Sequence, residues 1–167
     1  MAIRPTPAFL WRHPAHWLAL GFGSGLSPKA PGTVGTMWGW LAWWPLSLWL
    51  DPMQQGVLIA LATVVGWWAC KVTAEHLQMS DPGAIVWDEI VAIWLVLWAL
   101  GPLSLGMQLL AFALFRFFDA VKPGPVAWAD QRFKGDGWRG AFGIMVDDFA
   151  AAACTLLCLG AVLWAFK

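Results

Sequence analysis

The chain has 167 residues, 60% of them hydrophobic and 12% charged, with ten Lys plus Arg against ten Asp plus Glu. A soluble domain carries about 25% charge; a mean hydropathy of +0.64, with the apolar residues in long runs, excludes an ordinary water-soluble fold and describes an integral membrane protein. The length allows one domain, residues 1–167, and the absence of net charge excludes a basic surface for nucleic acid.

Residues 1–13 read as a polar, Pro-containing cytoplasmic arm, and residues 14–22 as a short helix at the membrane interface. Arg4 and Arg12 precede only a short apolar run, Trp17 to Phe22, so no signal peptide is expected and the mature chain is expected to begin at Met1. The stretch from Gly21 to Thr36 is rich in glycine and proline and reads as a loop, with free backbone N–H groups and hydroxyls at Ser24, Ser27, Thr33 and Thr36. It is not a dinucleotide fingerprint, because Leu26 stands where the third Gly belongs. Nor is it a P-loop, because Lys29 does not lie between a Gly and a Ser or Thr. An anion-binding nest and a plain re-entrant turn both remain open for it.

Five apolar segments follow. The first runs from Met37 to Leu50, with Pro45 inside it and Asp51-Pro52 at its end. The second runs from Gln54 to Cys70 and is closed by Lys71, Glu75 and His76. Asp81-Pro82 reads as an N-cap and first helical position for the third, Gly83 to Leu100, which stops at Gly101-Pro102. The fourth spans Leu103 to Val121 and stops before Pro123-Gly124-Pro125. Trp128 to Gly140 reads as a charged loop, and the fifth segment spans Ala141 to Phe166. The expected fold is all-α: a polytopic membrane helix bundle of about five transmembrane or membrane-embedded helices plus a short N-terminal interfacial helix. Trp38, Trp67, Trp68, Trp87 and Trp164 sit near the ends of apolar runs, as interfacial anchors do. Cys70, Cys154 and Cys158 make no metal spacing and read as packing residues.

Cations fall on alternate loops. One set holds Arg4, Arg12, Lys29, Lys71, Lys122, Arg132, Lys134 and Arg139; the opposite set holds only the terminal Lys167. The positive-inside rule puts the first set in the cytoplasm. The glycine loop, Asp88-Glu89, the Arg116 to Lys122 stretch and Asp147-Asp148 all fall on that same side.

These charges lie inside apolar segments. On the segment boundaries above, Asp88 is about 9 Å inside its helix start, Asp147 about one turn in, and Arg116 about one and a half turns from its helix end. A charge at a helix centre costs about 2.5–3.5 kcal/mol on insertion scales, and less at shallow depth. Groups of this kind are expected to face one another or a wet cavity rather than lipid. Clustered carboxylates repel; Arg116 and Lys122 offset part of the charge, and a hard divalent cation would offset the rest. All-oxygen ligands favour Mg²⁺ over Zn²⁺. Each patch also has a structural reading: a helix-start charge pair at Asp88-Glu89, an i, i+3 ion pair at Arg116 and Asp119, and favourable helix-dipole placement of Asp147-Asp148. Asp130, Asp136, Arg132 and Arg139 read as solvated loop charges, and His13, His16 and His76 as interfacial or solvated.

Four motifs stand in order along the chain: Gly21-Phe22-Gly23-Ser24-Gly25-Leu26-Ser27-Pro28 with Pro31-Gly32-Thr33, then Val86-Trp87-Asp88-Glu89, then Phe115-Arg116 with Asp119 and Lys122-Pro123, and Gly143-Ile144-Met145-Val146-Asp147-Asp148. Together they resemble the bacterial phosphatidylglycerophosphatase A family. The order and spacing hold over nearly the whole chain. The departures are Ala141, where a second Gly is usual after Gly140, and a somewhat long loop from Trp128 to Gly140. The resemblance implies a Mg²⁺-dependent lipid phosphatase of the inner membrane, multi-pass, that removes the terminal phosphate of phosphatidylglycerophosphate at the cytoplasmic face. It implies an acidic set of Asp88, Glu89, Asp119, Asp147 and Asp148, with Glu89, Asp119, Asp147 and Asp148 as metal ligands. It makes Asp88, Glu89 and Asp147 the catalytic carboxylates, with either Asp88 or Asp147 acting on water and an Asp nucleophile still open. Arg116 and Lys122, with Ser24, Thr33, Thr36 and loop N–H groups, would hold the phosphate. No cysteine or histidine stands where a thiol- or histidine-based lipid phosphatase needs one. Two other readings share these charges. One is a small transporter or ion carrier, which the apolar far halves of segments three and five oppose. The other is a lipid head-group transferase, which would carry a longer run of spaced aspartates.

Overall fold

In the computed structural model, which describes residues 5–165, the chain is helical throughout, with no strand among the described residues. Arg4, Phe166 and Lys167 lie outside the described residues. The order is α1 Pro7–Leu10, α2 Pro14–Ala19, a 3₁₀ segment Gly21–Leu26, α3 Pro31–Trp49, α4 Pro52–Leu77, α5 Trp87–Leu100, α6 Leu105–Val121, α7 Pro125–Arg132 and α8 Gly137–Ala165.

The bundle is built around α5, which packs against α3, α4 and α8 and touches α6. Every residue from Trp87 to Leu97 except Leu95 is buried, as expected of a helix apolar on all sides. Its two buried indoles are tied to neighbouring helix carbonyls. The Trp87 ring N–H donates to the Ala62 carbonyl at 3.0 Å, and that of Trp94 to the Gly39 carbonyl at 2.7 Å. Trp87 is thus a core residue and not an interfacial anchor. Gly66 of α4 leaves the slot for its indole, because a Cβ there would run into the ring. Trp38, Trp68 and Trp164 are exposed.

Several boundaries differ from the sequence expectation, each for a local reason. The supposed loop is helical from residue 31. Pro31 occupies N1, where a missing N–H costs nothing, and Gly32, Gly35 and Gly39 are pressed against α5, so packing outweighs their poor propensity. The third segment starts at Trp87 rather than Gly83. The Val86 N–H is drawn onto the Ala19 carbonyl at 2.9 Å, leaving residues 81–86 as a turn, so Asp88 and Glu89 sit in the first helical turn. The charged loop contains α7, again with Pro at its start. Because α8 begins at Gly137, Asp147 lies ten residues into it, deeper than the expected single turn. α4 starts from a capping box between Asp51 and Gln54 and runs on to Leu77, past Cys70, with the Lys71–Glu75 ion pair of 2.9 Å on its last turns. His16 is not solvated: where α2 packs on α4 it is 1% exposed, between the Phe9 carbonyl at 2.8 Å and His76 Nδ1 at 2.9 Å. Burial, opposed mainly by the Phe9 carbonyl, lowers its pKa from the usual value.

α4 and α8, with 26 and 29 residues, are long and apolar enough to cross a bilayer. Only 33% and 28% of their apolar windows are buried, so neither is the core helix of a soluble domain. α3, α5 and α6 have 19, 14 and 17 residues, or about 28, 21 and 26 Å. Leu48, Trp49, Met53, Val64, Leu157 and Trp164 are each at least 64% exposed. Apolar exposure on that scale is the surface of a membrane protein.

Candidate active site

Three helices deliver charged side chains to one buried place, and a fourth, α3, closes it. α5 brings Asp88 and Glu89 in its first turn, α6 brings Arg116 and Asp119 on one face of its last turns, and α8 brings Asp147 and Asp148. α3 contributes Gly32, Gly35 and Thr36. Asp88, Glu89, Asp147 and Asp148 are 9%, 8%, 7% and 2% exposed.

Arg116 is the hub. Its Nη1 donates to Glu89 Oε1 at 3.0 Å and to Thr36 Oγ1 at 3.2 Å, and forms an ion pair with Asp119 Oδ2 at 2.7 Å. The Thr36 hydroxyl donates in turn to the Gly32 carbonyl at 2.9 Å. Thr36 therefore orients the guanidinium. The bare face of α3 makes this approach possible. A Cβ on Gly32 would run into Glu89 Oε1 and come within 3.1 Å of Arg116 Nη2, and one on Gly35 would lie 3.1 Å from Glu89 Oε2.

A second knot lies beside the first. Lys122 ends α6 in a left-handed conformation (φ 47°) and its ammonium bridges Asp147 Oδ2 and Asp130 Oδ1, the latter at 2.7 Å. Asp130 Oδ2 also accepts from Lys134 at 2.9 Å. Asp130 is therefore not the freely solvated charge its loop position implied; α7 carries it back over the end of α6. Burial tends to raise its pKa, but the hydrogen bonds from Lys122 and Lys134 hold the carboxyl below its usual value. A cavity of about 220 Å³ opens alongside, with Asp81, Asp130, Lys134 and Asp147 in its walls.

One carboxylate oxygen from each of Glu89, Asp119 and Asp148 lies within 4.8 Å of the others. Asp147 is not in this trio, and one of its oxygens is held by Lys122. Glu89 Oε2, Asp148 Oδ2, Asp88 Oδ1 and Asp147 Oδ1 are buried without a hydrogen-bond donor. Orphaned buried carboxylate oxygens are costly, and among the described residues the five carboxylates here face two cations, Arg116 and Lys122. A hard divalent cation among the trio fits both the donor chemistry and the charge deficit.

Other expected phosphate contacts are elsewhere. Ser24 donates its hydroxyl to the Gly21 carbonyl at 2.8 Å, closing its own turn, and Thr33 is exposed. The N–H groups of Gly23 and Gly25 both go to the Leu20 carbonyl and that of Ser27 to the Ser24 carbonyl. The glycine stretch is a packed turn: a Cβ on Gly25 would strike the Ala84 carbonyl. Sequence reading missed Asp130, Gly32 and Gly35. The glycine spacing at 32, 35 and 39, one helix face behind a proline, was the available signal.

Fold and site together define a membrane helix bundle with a buried carboxylate and cation centre suited to a divalent ion. The chain belongs to the phosphatidylglycerophosphatase A family, whose model matches residues 17–163. It is 39% identical over 150 residues to the phosphatidylglycerophosphatase A of Haemophilus influenzae, covering 90% of this chain and 89% of the relative. The Escherichia coli protein of the same name is 37% identical over 139 residues, 83% of this chain and 77% of its own. A Bacteroides thetaiotaomicron protein provisionally named a phosphatidylinositol-3-phosphatase is 33% identical over 153 residues, 88% of this chain and 92% of its own. No solved structure matches the chain significantly.

Proposed function

We propose that this protein hydrolyses the terminal phosphomonoester of phosphatidylglycerophosphate to give phosphatidylglycerol and inorganic phosphate, with Mg²⁺, at the cytoplasmic face of the inner membrane. The observation that carries the proposal is the convergence of Glu89, Asp119 and Asp148 beside Arg116 within a chain of this family. The named activity of the Haemophilus and Escherichia relatives supports the substrate. The clustering of Lys122, Arg132, Lys134 and Arg139 around α7 and the head of α8 supports the cytoplasmic orientation. The exposed apolar faces support an arrangement in which α3 to α6 and α8 are all embedded.

In this reading Glu89, Asp119 and Asp148 would hold the Mg²⁺, which when bound would supply charge neutralisation for the phosphate. Arg116 holds the phosphate through Nε, the buried N–H that has no partner in the protein. Lys122, paired on two sides, turns its remaining donor to another phosphate oxygen. Asp147 keeps Oδ1 free while Oδ2 is held by Lys122, so Oδ1 can orient a water and take its proton; Asp88 Oδ1 is the other candidate. The water oxygen bonds to phosphorus, the bond from phosphorus to the glycerol oxygen breaks, and that oxygen gains a proton. Placement and charge neutralisation carry most of the rate in such transfers.

The test is phosphate release by the purified protein from phosphatidylglycerophosphate, with phosphatidylinositol-3-phosphate in parallel. Release in Mg²⁺, abolition by EDTA and recovery on adding Mg²⁺ back are expected. Undiminished release in EDTA would remove the metal from the account, and no release from either lipid would remove the activity. Gly32→Ala should lower kcat/KM by about 100-fold, since displacement of reacting groups by about 1 Å costs that much. Helix content should not change in this variant, which circular dichroism would check.

A further inference from the structure

We infer that Asp130 is a positioning residue for this reaction, acting through Lys122: it fixes the ammonium so that one N–H is aimed at the phosphate. The inference rests on the assignment of Lys122 proposed above.

The case starts from the chain path. The left-handed Lys122 and the turn at Gly124–Pro125 send the chain back as α7. Val126 and Ala129 of α7 are buried, and α7 packs on α8, so the backbone carrying Asp130 is fixed. Both oxygens of Asp130 are engaged, Oδ1 by Lys122 at 2.7 Å and Oδ2 by Lys134 at 2.9 Å. The carboxylate therefore has one orientation.

An ammonium has three N–H donors on a flexible stem, and a single acceptor leaves the other two free to rotate. Lys122 has two acceptors on different elements, Asp147 on α8 and Asp130 on α7. Two fixed acceptors define the direction of the third donor. Without Asp130 only Asp147 would hold the ammonium, beside the cavity that Asp130 and Asp147 line.

Charge alone predicts the opposite effect. Removing the Asp130 carboxylate makes the neighbourhood more positive, which would tighten binding of a phosphate dianion. Loss of aim predicts weaker phosphate binding and slower turnover. The two explanations differ in sign.

The experiment is a double-mutant cycle of Asp130→Ala and Lys122→Ala, with Asp130→Asn, Asp130→Ser and Lys134→Ala beside it, each at saturating Mg²⁺. Asp130→Ala should lower kcat/KM by about 10- to 100-fold, and calorimetry should show inorganic phosphate bound several-fold more weakly. In the Lys122→Ala background the same change should cost less than about threefold further. Asp130→Asn keeps an oxygen for Lys122 and should retain most activity, and Lys134→Ala, which releases only Asp130 Oδ2 and leaves the Lys122 bond in place, should lose less activity than Asp130→Ala. Asp130→Ser, too short to reach Lys122, should show the same loss and replaces Asp130→Ala in the cycle if the alanine variant does not fold. A full additive penalty in the Lys122→Ala background, or tighter phosphate binding by Asp130→Ala, overturns the inference and leaves the proposed function standing. Undiminished activity of Lys122→Ala removes the assignment of Lys122 and the inference with it.

Discussion

Asp148→Asn is expected to abolish Mg²⁺-dependent turnover while the protein becomes no less stable without metal. Asp148 is 2% exposed and its Oδ2 has no donor in the protein. It sits with Glu89 and Asp119, whose carboxylate oxygens lie within 4.8 Å. Without a cation these groups repel, so replacing one carboxylate by an isosteric amide relieves repulsion. With a cation the same change removes a charged ligand. Metal charge stabilisation is worth several kcal/mol in a transition state; losing about 4 kcal/mol is about a 1,000-fold loss of rate. A purely structural Asp148 would lose activity and stability together. Phosphate release with Mg²⁺, set beside thermal unfolding in EDTA, distinguishes the two. Turnover at the wild-type rate would end the assignment of Asp148 as a ligand.

Arg116→Ala is expected to damage both properties. Its guanidinium is the cation between Glu89 and Asp119, and it is tied to α3 through Thr36. Removing one partner of a buried ion pair costs about 3–5 kcal/mol, because the remaining charges are left uncompensated. The 18% exposure of the Arg116 side chain puts the expected loss at the lower end. Arg116→Lys separates charge from shape. It restores a cation, so unfolding temperature should recover substantially. A lysine cannot present the planar fork that meets Glu89, Asp119 and Thr36 while leaving Nε for phosphate, so activity should stay low. Recovery of full activity in Arg116→Lys would show that only charge matters at this position.

Much of the site was legible because the bilayer penalises stray charge. Asp88, Glu89, Arg116, Asp119, Asp147 and Asp148 stood out against apolar segments, and the structure brings them together on α5, α6 and α8. The helical class was legible from the same runs. What sequence could not show was contact across the bundle. Glycines that read as a loop, Gly32 and Gly35, became the face of α3 against Glu89, since tertiary packing overrode their weak propensity. Trp87 read as an interfacial anchor because it stood at the end of a run, but Gly66 makes room for it in the core. Asp130 read as solvated because its neighbours are polar; only the return of α7 over the end of α6 reveals its pairing with Lys122. The glycine turn had donors enough to bind an anion, yet Gly23, Gly25 and Ser27 give theirs to the chain's own carbonyls.

The most direct measurement is divalent-ion binding itself. Mn²⁺, as a paramagnetic stand-in for Mg²⁺, is titrated by electron paramagnetic resonance into wild type, Asp119→Asn and Asp148→Asn, with Mg²⁺ as competitor. The account predicts saturable binding by the wild-type protein, displaced by Mg²⁺ and lost in both variants. Wild-type protein that binds no ion, or variants that bind it equally well, would contradict it.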